Sequence, residues 1–144
     1  MERSVSRLLG EKGNDIWSIS PGSSVFEAIT IMAEKGVGAL LVMEGDYLCG
    51  IISERDYTRK VILKGRASKD CRVSEIMTSR VICVDPEWRV EDCMSLMTEK
   101  RVRHLPVVKD NKVLGVLSIG DVVRSLIKQK SHMIEKLESY ILGH

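Results

Sequence analysis

The sequence predicts an α/β protein built from one β-α-β-β-α unit used twice. Three observations lead there: an internal repeat, a helical apolar period followed by two strand-length runs in each copy, and a turn signal between those runs. Shifting the chain by 65 positions lays residues 17–59 on 82–124 without a gap, and twelve of the aligned pairs are identical. They include Pro21 with Pro86, Val25 with Val90, Met32 with Met97, Leu40 with Leu105 and Gly50 with Gly115. Ser53, Asp56 and Arg59 likewise align with Ser118, Asp121 and Arg124. A register held across a helix and three strands marks a duplicated unit.

Each element has its own justification. Residues 17–19 and 81–84 are short runs with β-branched residues, ending just before a proline, which predicts a strand entering a turn. Ser24 and Glu27 have the spacing of a capping box. From there Val25, Ala28, Ile29, Met32 and Ala33 recur at helical intervals, and Gly36 lies just past the end. Val90, Cys93, Met94 and Met97 repeat the pattern. Strands are expected over 39–43 and 47–52, joined by Glu44-Gly45-Asp46, and over 104–108 and 112–117, joined by Asp110-Asn111. Ser53 and Ser118 then open second helices.

The organisation that follows is a leading segment 1–14, helical over 3–12, a first repeat 15–64, a linker 65–79, a second repeat 80–128 and a trailing helix 129–144. The linker begins with the polar, turn-rich stretch 65–70. The trailing amphipathic pattern starts at Ile127 and puts Ile127, Ile134, Leu137 and Ile141 on one stripe. About fifty residues cover too little surface to bury a sheet alone. The two copies are therefore expected to pack sheet to sheet around pseudo-two-fold symmetry and share a core. The amphipathic end is expected to dock on that core or on a second chain, so a homodimer is anticipated.

Composition narrows the function. Of 144 residues, 44% are hydrophobic and 29% charged, an ordinary globular mix. No run approaches the roughly 18–20 apolar residues of a membrane helix, and the first residues hold no apolar signal core. A soluble cytoplasmic protein is the expectation. A net charge of +2 with only 4% aromatic residues argues against a nucleic-acid partner. The four cysteines contain no CxxC pair and no zinc-ligand spacing, so they read as buried reduced thiols and no metal is expected. Gly36-Val37-Gly38 lacks the third glycine of a dinucleotide fingerprint and precedes a strand. No Walker lysine, Ser-His-Asp signature or HExxH occurs, so an enzyme is not expected.

The repeated identities at the end of the third strand carry the chemistry. A strand running into a helix leaves unpaired N–H groups and a positive dipole end, a ready anion site. Ser53 or Ser118 can donate to a phosphate oxygen. Asp56 or Asp121, one turn later, can accept from the two hydroxyls of a ribose diol. Arg59 and Arg124 can reach phosphate. Ser-x-x-Asp is equally a good N-cap, worth about 1 kcal/mol without any ligand, and Asp-to-Arg at i, i+3 can be a surface ion pair. Recurrence of all three residue types in both copies favours the ligand reading.

These residues give the chain its resemblance to a tandem pair of CBS (cystathionine β-synthase) domains, a Bateman module, over roughly residues 10–128. The family pattern Gly-apolar-x-Ser/Thr-x-x-Asp is met by Gly50, Ser53 and Asp56, and by Gly115, Ser118 and Asp121. Arg103-His104-Leu105-Pro106-Val107 resembles the family's second strand; Ala39-Leu40-Leu41 departs from it by lacking His and Pro. Ile52-Ser53-Glu54-Arg55-Asp56-Tyr57 and Glu75-Ile76-Met77-Thr78 resemble a stand-alone subgroup. The resemblance implies regulatory binding of an adenine nucleotide (AMP, ADP, ATP, NAD(H) or S-adenosylmethionine) in two clefts between the paired repeats. It places Asp56 and Asp121 on ribose and Ser53 and Ser118 on phosphate. It places adenine against Val37, Gly38 and Ala39 in one cleft and Val102, Arg103, His104 and Pro106 in the other. No obligatory cofactor is implied, and any output would act on a separate protein. The alternative function is a structural dimerisation or adaptor module whose clefts stay empty.

Overall fold

The computed structural model describes residues 3–13 and 15–142. Met1, Glu2, Asn14, Gly143 and His144, which belong to the expected terminal segments, lie outside the described residues. In chain order the elements are α1 (Val5–Lys12), β1 (Ser18–Ile19), α2 (Val25–Lys35), β2 (Ala39–Glu44) and β3 (Tyr47–Ser53). The short helix α3 (Glu54–Tyr57) follows, runs into a π-helical turn (Thr58–Ile62), and is succeeded by α4 (Val73–Ile76). Then come α5 (Val90–Lys100), β4 (His104–Lys109), β5 (Lys112–Ser118) and α6 (Ile119–Leu142). The chain forms two compact units, one from Ile16–Val81 and the other from Ile82–His144 together with Met1–Asp15.

Within Ile16–Val81, β1 pairs in parallel with β2, which pairs antiparallel with β3. Ser24 caps α2 by accepting from the Glu27 N–H, and Gly36 ends it in the left-handed conformation at φ 64°, as the cap residues predict. The core holds Ile19, Val25, Ala28, Met32, Leu40, Val42 and Ile52. Ile29 packs at its edge, whereas Ala33, expected on the same face, is exposed.

The second unit repeats the plan with one difference. Val90, Cys93, Met97, Leu105, Val107 and Leu117 fill its core, and Asp110 and Asn111 adopt φ values of 51° and 63°. Both central residues of a type I′ hairpin turn need positive φ. The strand expected over 81–84 is absent: only Val84 bridges, in parallel, to Val107. The cause is a proline. In the first copy the Leu41 N–H donates to the Trp17 carbonyl. Its counterpart Pro106 has no N–H to donate, so the ladder is left with the Val84 N–H to the Pro106 carbonyl and the Val108 N–H to the Val84 carbonyl.

The segments outside the 65-residue repeat are themselves equivalent, and they are exchanged. The Val73 and Ser74 N–H groups donate to the carbonyls of Ser23 and Pro21, while those of Val5 and Ser6 donate to Trp88 and Pro86. Trp88 and Pro86 stand 65 positions after Ser23 and Pro21. The helix preceding the second repeat, α4, thus completes the first unit, burying Val73 and Ile76. The helix preceding the first repeat, α1, completes the second unit, burying Val5, Leu8 and Leu9. Residues 65–79 therefore carry core side chains as well as the polar stretch.

Three smaller expectations change. The leading helix starts at Val5 because Ser4 takes the cap, accepting from the Arg7 N–H. No separate trailing helix exists; α6 runs unbroken from Ile119. No disulfide joins any of the four cysteines, and only Cys71 and Cys93 are buried. Cys83 is exposed because it alternates with the inward-facing Val84.

Candidate functional site

The strand-to-helix junction after β5 is built from the backbone outward. Ser118 ends the strand, and its Oγ accepts from the Asp121 N–H at 3.1 Å while its own N–H donates to Asp121 Oδ2 at 2.8 Å. This reciprocal cap satisfies donors that a helix start would leave open. The Ile119 N–H is taken by the Arg103 carbonyl at 2.8 Å, and His104 lies opposite Ser118 in the β4–β5 register. Fold geometry therefore gathers Arg103, His104, Ser118 and Asp121. Val102 is half-buried at the entry to β4, whereas Pro106 is buried opposite Val116.

Two cations close on the Asp121 carboxylate. Arg124 Nη2 donates to Oδ1 at 2.9 Å, and its guanidinium lies beside Gly120, where an added Cβ would stand 3.2 Å from Nη1. Lys12, at the end of α1, donates to Oδ2 at 2.7 Å and to the Val116 carbonyl at 2.6 Å. Nothing in the sequence pattern points to Lys12, which lies 109 residues away; only the exchange of α1 brings it there. Burial alone would raise the Asp121 pKa, but hydrogen bonds from Lys12 and the Ser118 N–H outweigh it and hold the carboxyl below its ordinary value. His104 is pushed down mainly by burial, with help from Lys12 and Arg103 against the pull of Asp121, so its ring is neutral near pH 7.

The junction after β3 has the same backbone with different cations. The Ser53 N–H and Oγ donate to Asp56 Oδ2 at 2.9 and 3.1 Å, and Ser53 Oγ accepts from the Asp56 N–H at 3.2 Å. The Glu54 N–H donates to the Gly38 carbonyl at 3.0 Å, and Ala39 pairs with Ser53. Val37, Gly38 and Ala39 are half-buried along that edge. Here Lys60 reaches Asp56 Oδ1 at 3.1 Å and also donates to the Ile76 carbonyl. Arg59, the repeat partner of Arg124, is exposed in the π-helical turn. Gly50 is required by packing: a Cβ there would stand 2.8 Å from both Met77 Sδ and the Thr78 carbonyl oxygen.

Both serine–aspartate pairs thus form the caps that the spacing allowed, and each carboxylate also faces a flexible, partly exposed cation at Oδ1. Among the described residues no cluster of His, Cys, Asp or Glu could hold a metal ion. No helix among them is long and apolar enough to cross a membrane.

Comparison with known proteins fits this duplicated architecture. The family model for the CBS domain matches residues 13–62 and again 73–128. The chain is 43% identical over 145 residues to CBSX3, a mitochondrial CBS domain-containing protein of Arabidopsis thaliana, covering 96% of this chain and 70% of that one. A solved CBS-domain protein of Burkholderia ambifaria, named for signal transduction, shares 48% identity at a TM-score of 0.84, over 88% of this chain and 95% of its own. A CBS domain protein of Pyrobaculum aerophilum, solved in complex with AMP, aligns at 26% identity and a TM-score of 0.73, over 83% and 89% of the two chains. With the family model matched twice over most of the chain, the chain belongs to the CBS-domain family.

Proposed function

We propose that the chain is a non-catalytic regulatory module that binds an adenine nucleotide at its Ser-Asp junctions and acts on a separate protein. One observation carries this reading: the same hydroxyl, carboxylate and partly exposed cation recur at both strand-to-helix junctions, in a family with an AMP-complexed member. The chemistry suits a ribose phosphate. A sugar hydroxyl can take the place of a cation at Oδ1, because the Arg124 and Lys60 side chains are 73% and 44% exposed and free to swing outward. Once displaced, the guanidinium is placed to meet phosphate. We assign the module to the cytoplasm as a homodimer; the plant relative, by contrast, is named mitochondrial.

Binding to the folded state raises stability by about 2.7 kcal/mol at ligand a hundredfold above its dissociation constant. It switches a partner only through unequal affinity for two conformations. Calorimetry and thermal melting with AMP, ATP, NADH and S-adenosylmethionine test the reading, with guanine nucleotides as controls. A melting shift with one adenine compound, reduced at least about tenfold in affinity by Asp121→Ala, is expected. Indifference to every adenine compound removes the sensor function. A second reading, an empty structural module, is favoured by the fact that both carboxylates are already satisfied by protein donors; it predicts that indifference.

A further inference from the structure

We propose that α6 pairs with α6 of a second copy of this chain, antiparallel, about a two-fold axis passing at Ile134. This specifies the contact behind the homodimer reading and is independent of nucleotide binding. The face of α6 that belongs to its own unit carries Asp121, Val122 and Ser125, all buried. At about 100° per residue Ile134 stands nine positions and half a circle from Ser125, so its side chain points away from that unit, while Ile127 and Leu137 border grooves shared with α1. Along this stripe Ile127 is 60% exposed, Ile134 46%, Leu137 56% and Ile141 77%. Four large apolar side chains exposed in a row mark an interaction surface.

The occupant is identified by the one charged interruption. Lys130 lies within the stripe between Ile127 and Ile134, and Glu138 lies on its edge between Leu137 and Ile141. Both are exposed. Laid antiparallel on a copy of itself about Ile134, the helix sets Ile127 against Ile141, Ile134 against Ile134, and Lys130 against Glu138, all seven or fewer positions from the axis. The contact is self-complementary in both shape class and charge, as an isologous two-fold interface must be. A parallel pair in register would stack Lys130 on Lys130 instead, and sliding the antiparallel pair to centre on Lys130 does the same. The charge inside the apolar seam thereby selects against both of those arrangements, the role polar residues play in helix pairs.

Sedimentation equilibrium on the full chain tests this through a charge swap. The wild type is expected to dimerise. Ile134→Glu, on the helix face away from the unit's core, should keep the far-UV circular dichroism unchanged while weakening the dimer by roughly a hundredfold or more, because two carboxylates would meet at the axis. Lys130→Glu alone should weaken it by roughly tenfold, and adding Glu138→Lys should restore it to near the wild-type value. A dimer indifferent to Ile134→Glu overturns this contact while leaving a homodimer in place. A double swap no tighter than the single change overturns the antiparallel register. A monomeric wild type overturns both the contact and the homodimer reading, and none of these results bears on nucleotide binding.

Discussion

Replacing Asp121 with alanine should cost far more stability than the same change at its repeat partner, Asp56. Each substitution removes half of a reciprocal cap, about 1 kcal/mol. At Asp121 it also takes the counter-charge from Lys12, whose side chain is only 30% exposed and whose other partner among the described residues is the Val116 carbonyl. Loss of that charged hydrogen bond adds about 1.5–3 kcal/mol, giving roughly 2.5–4 kcal/mol in all. At Asp56 the cation is Lys60, one turn away and 44% exposed, a local pair worth about 0.3–0.5 kcal/mol; the total is then nearer 1–1.5 kcal/mol. Urea unfolding followed by circular dichroism at pH 7 reads both. The acid limb supplies a second check. The Asp121 carboxyl is held below its ordinary value in the fold, so its contribution is full above the ordinary carboxylate pKa of about 3.9. It is lost as pH falls through the lower folded-state value, and the gap between wild type and Asp121→Ala should close there. An Asp121→Ala protein no less stable than Asp56→Ala, or a gap that widens in acid, refutes the assignment of Lys12.

Other consequences follow from single contacts. His104 has a lowered pKa in the fold, so the unfolded chain takes up a proton first and stability should fall as pH drops below about 6.5. His104→Gln should flatten that limb, read from urea midpoints between pH 5 and 8. Gly50→Ala drives a Cβ against the Thr78 carbonyl, which is fixed by the Ile51 N–H, and should cost about 1–3 kcal/mol. Gly10→Ala meets nothing within 4 Å in helix α1 and should instead gain about 0.5–1 kcal/mol in the same assay. Pro106→Leu restores the amide that Leu41 uses in the first copy; hydrogen exchange should find the new N–H protected.

Much of this architecture could be read in advance because its signals are local. The Ser24 cap and Gly36 stop bound α2, and the Asp110-Asn111 turn sets the second hairpin. Cap spacing at Ser53–Asp56 and Ser118–Asp121 located both junctions; Gly38, Ala39, Arg103 and His104 were reached only through the family resemblance, and strand register sets Ala39 and His104 opposite the two serines. What stayed hidden was non-local. Lys12 reaches Asp121 only because α1 docks on the second repeat, and a shared Val-Ser at residues 5–6 and 73–74 is too short to stand out. Lys60 displaces Arg59 as the partner of Asp56 where the helix passes into a π-turn that no propensity signals. The missing second-copy strand was in principle legible: a proline on the strand's partner removes the donor it needs.

The exchange of α1 and α4 makes a further claim that can be separated from everything at the junctions. If each unit is completed by a segment encoded before the other repeat, a core deletion in α1 must loosen the second repeat and leave its sequence neighbour intact. Leu8 is 6% exposed in the cluster with Val84, Leu105 and Leu117, and Ile76 is 1% exposed in the cluster with Ile19, Leu40 and Ile52. Truncating either to alanine should cost about 2–5 kcal/mol through lost contacts and the cavity left behind. Hydrogen exchange resolves where that cost falls. Leu8→Ala should accelerate the β4–β5 amides ahead of those in β2–β3, and Ile76→Ala should do the reverse. A Leu8→Ala protein whose β2–β3 amides open first would mean that α1 supports the repeat it precedes, and the docking of Lys12 on Asp121 would fall with it.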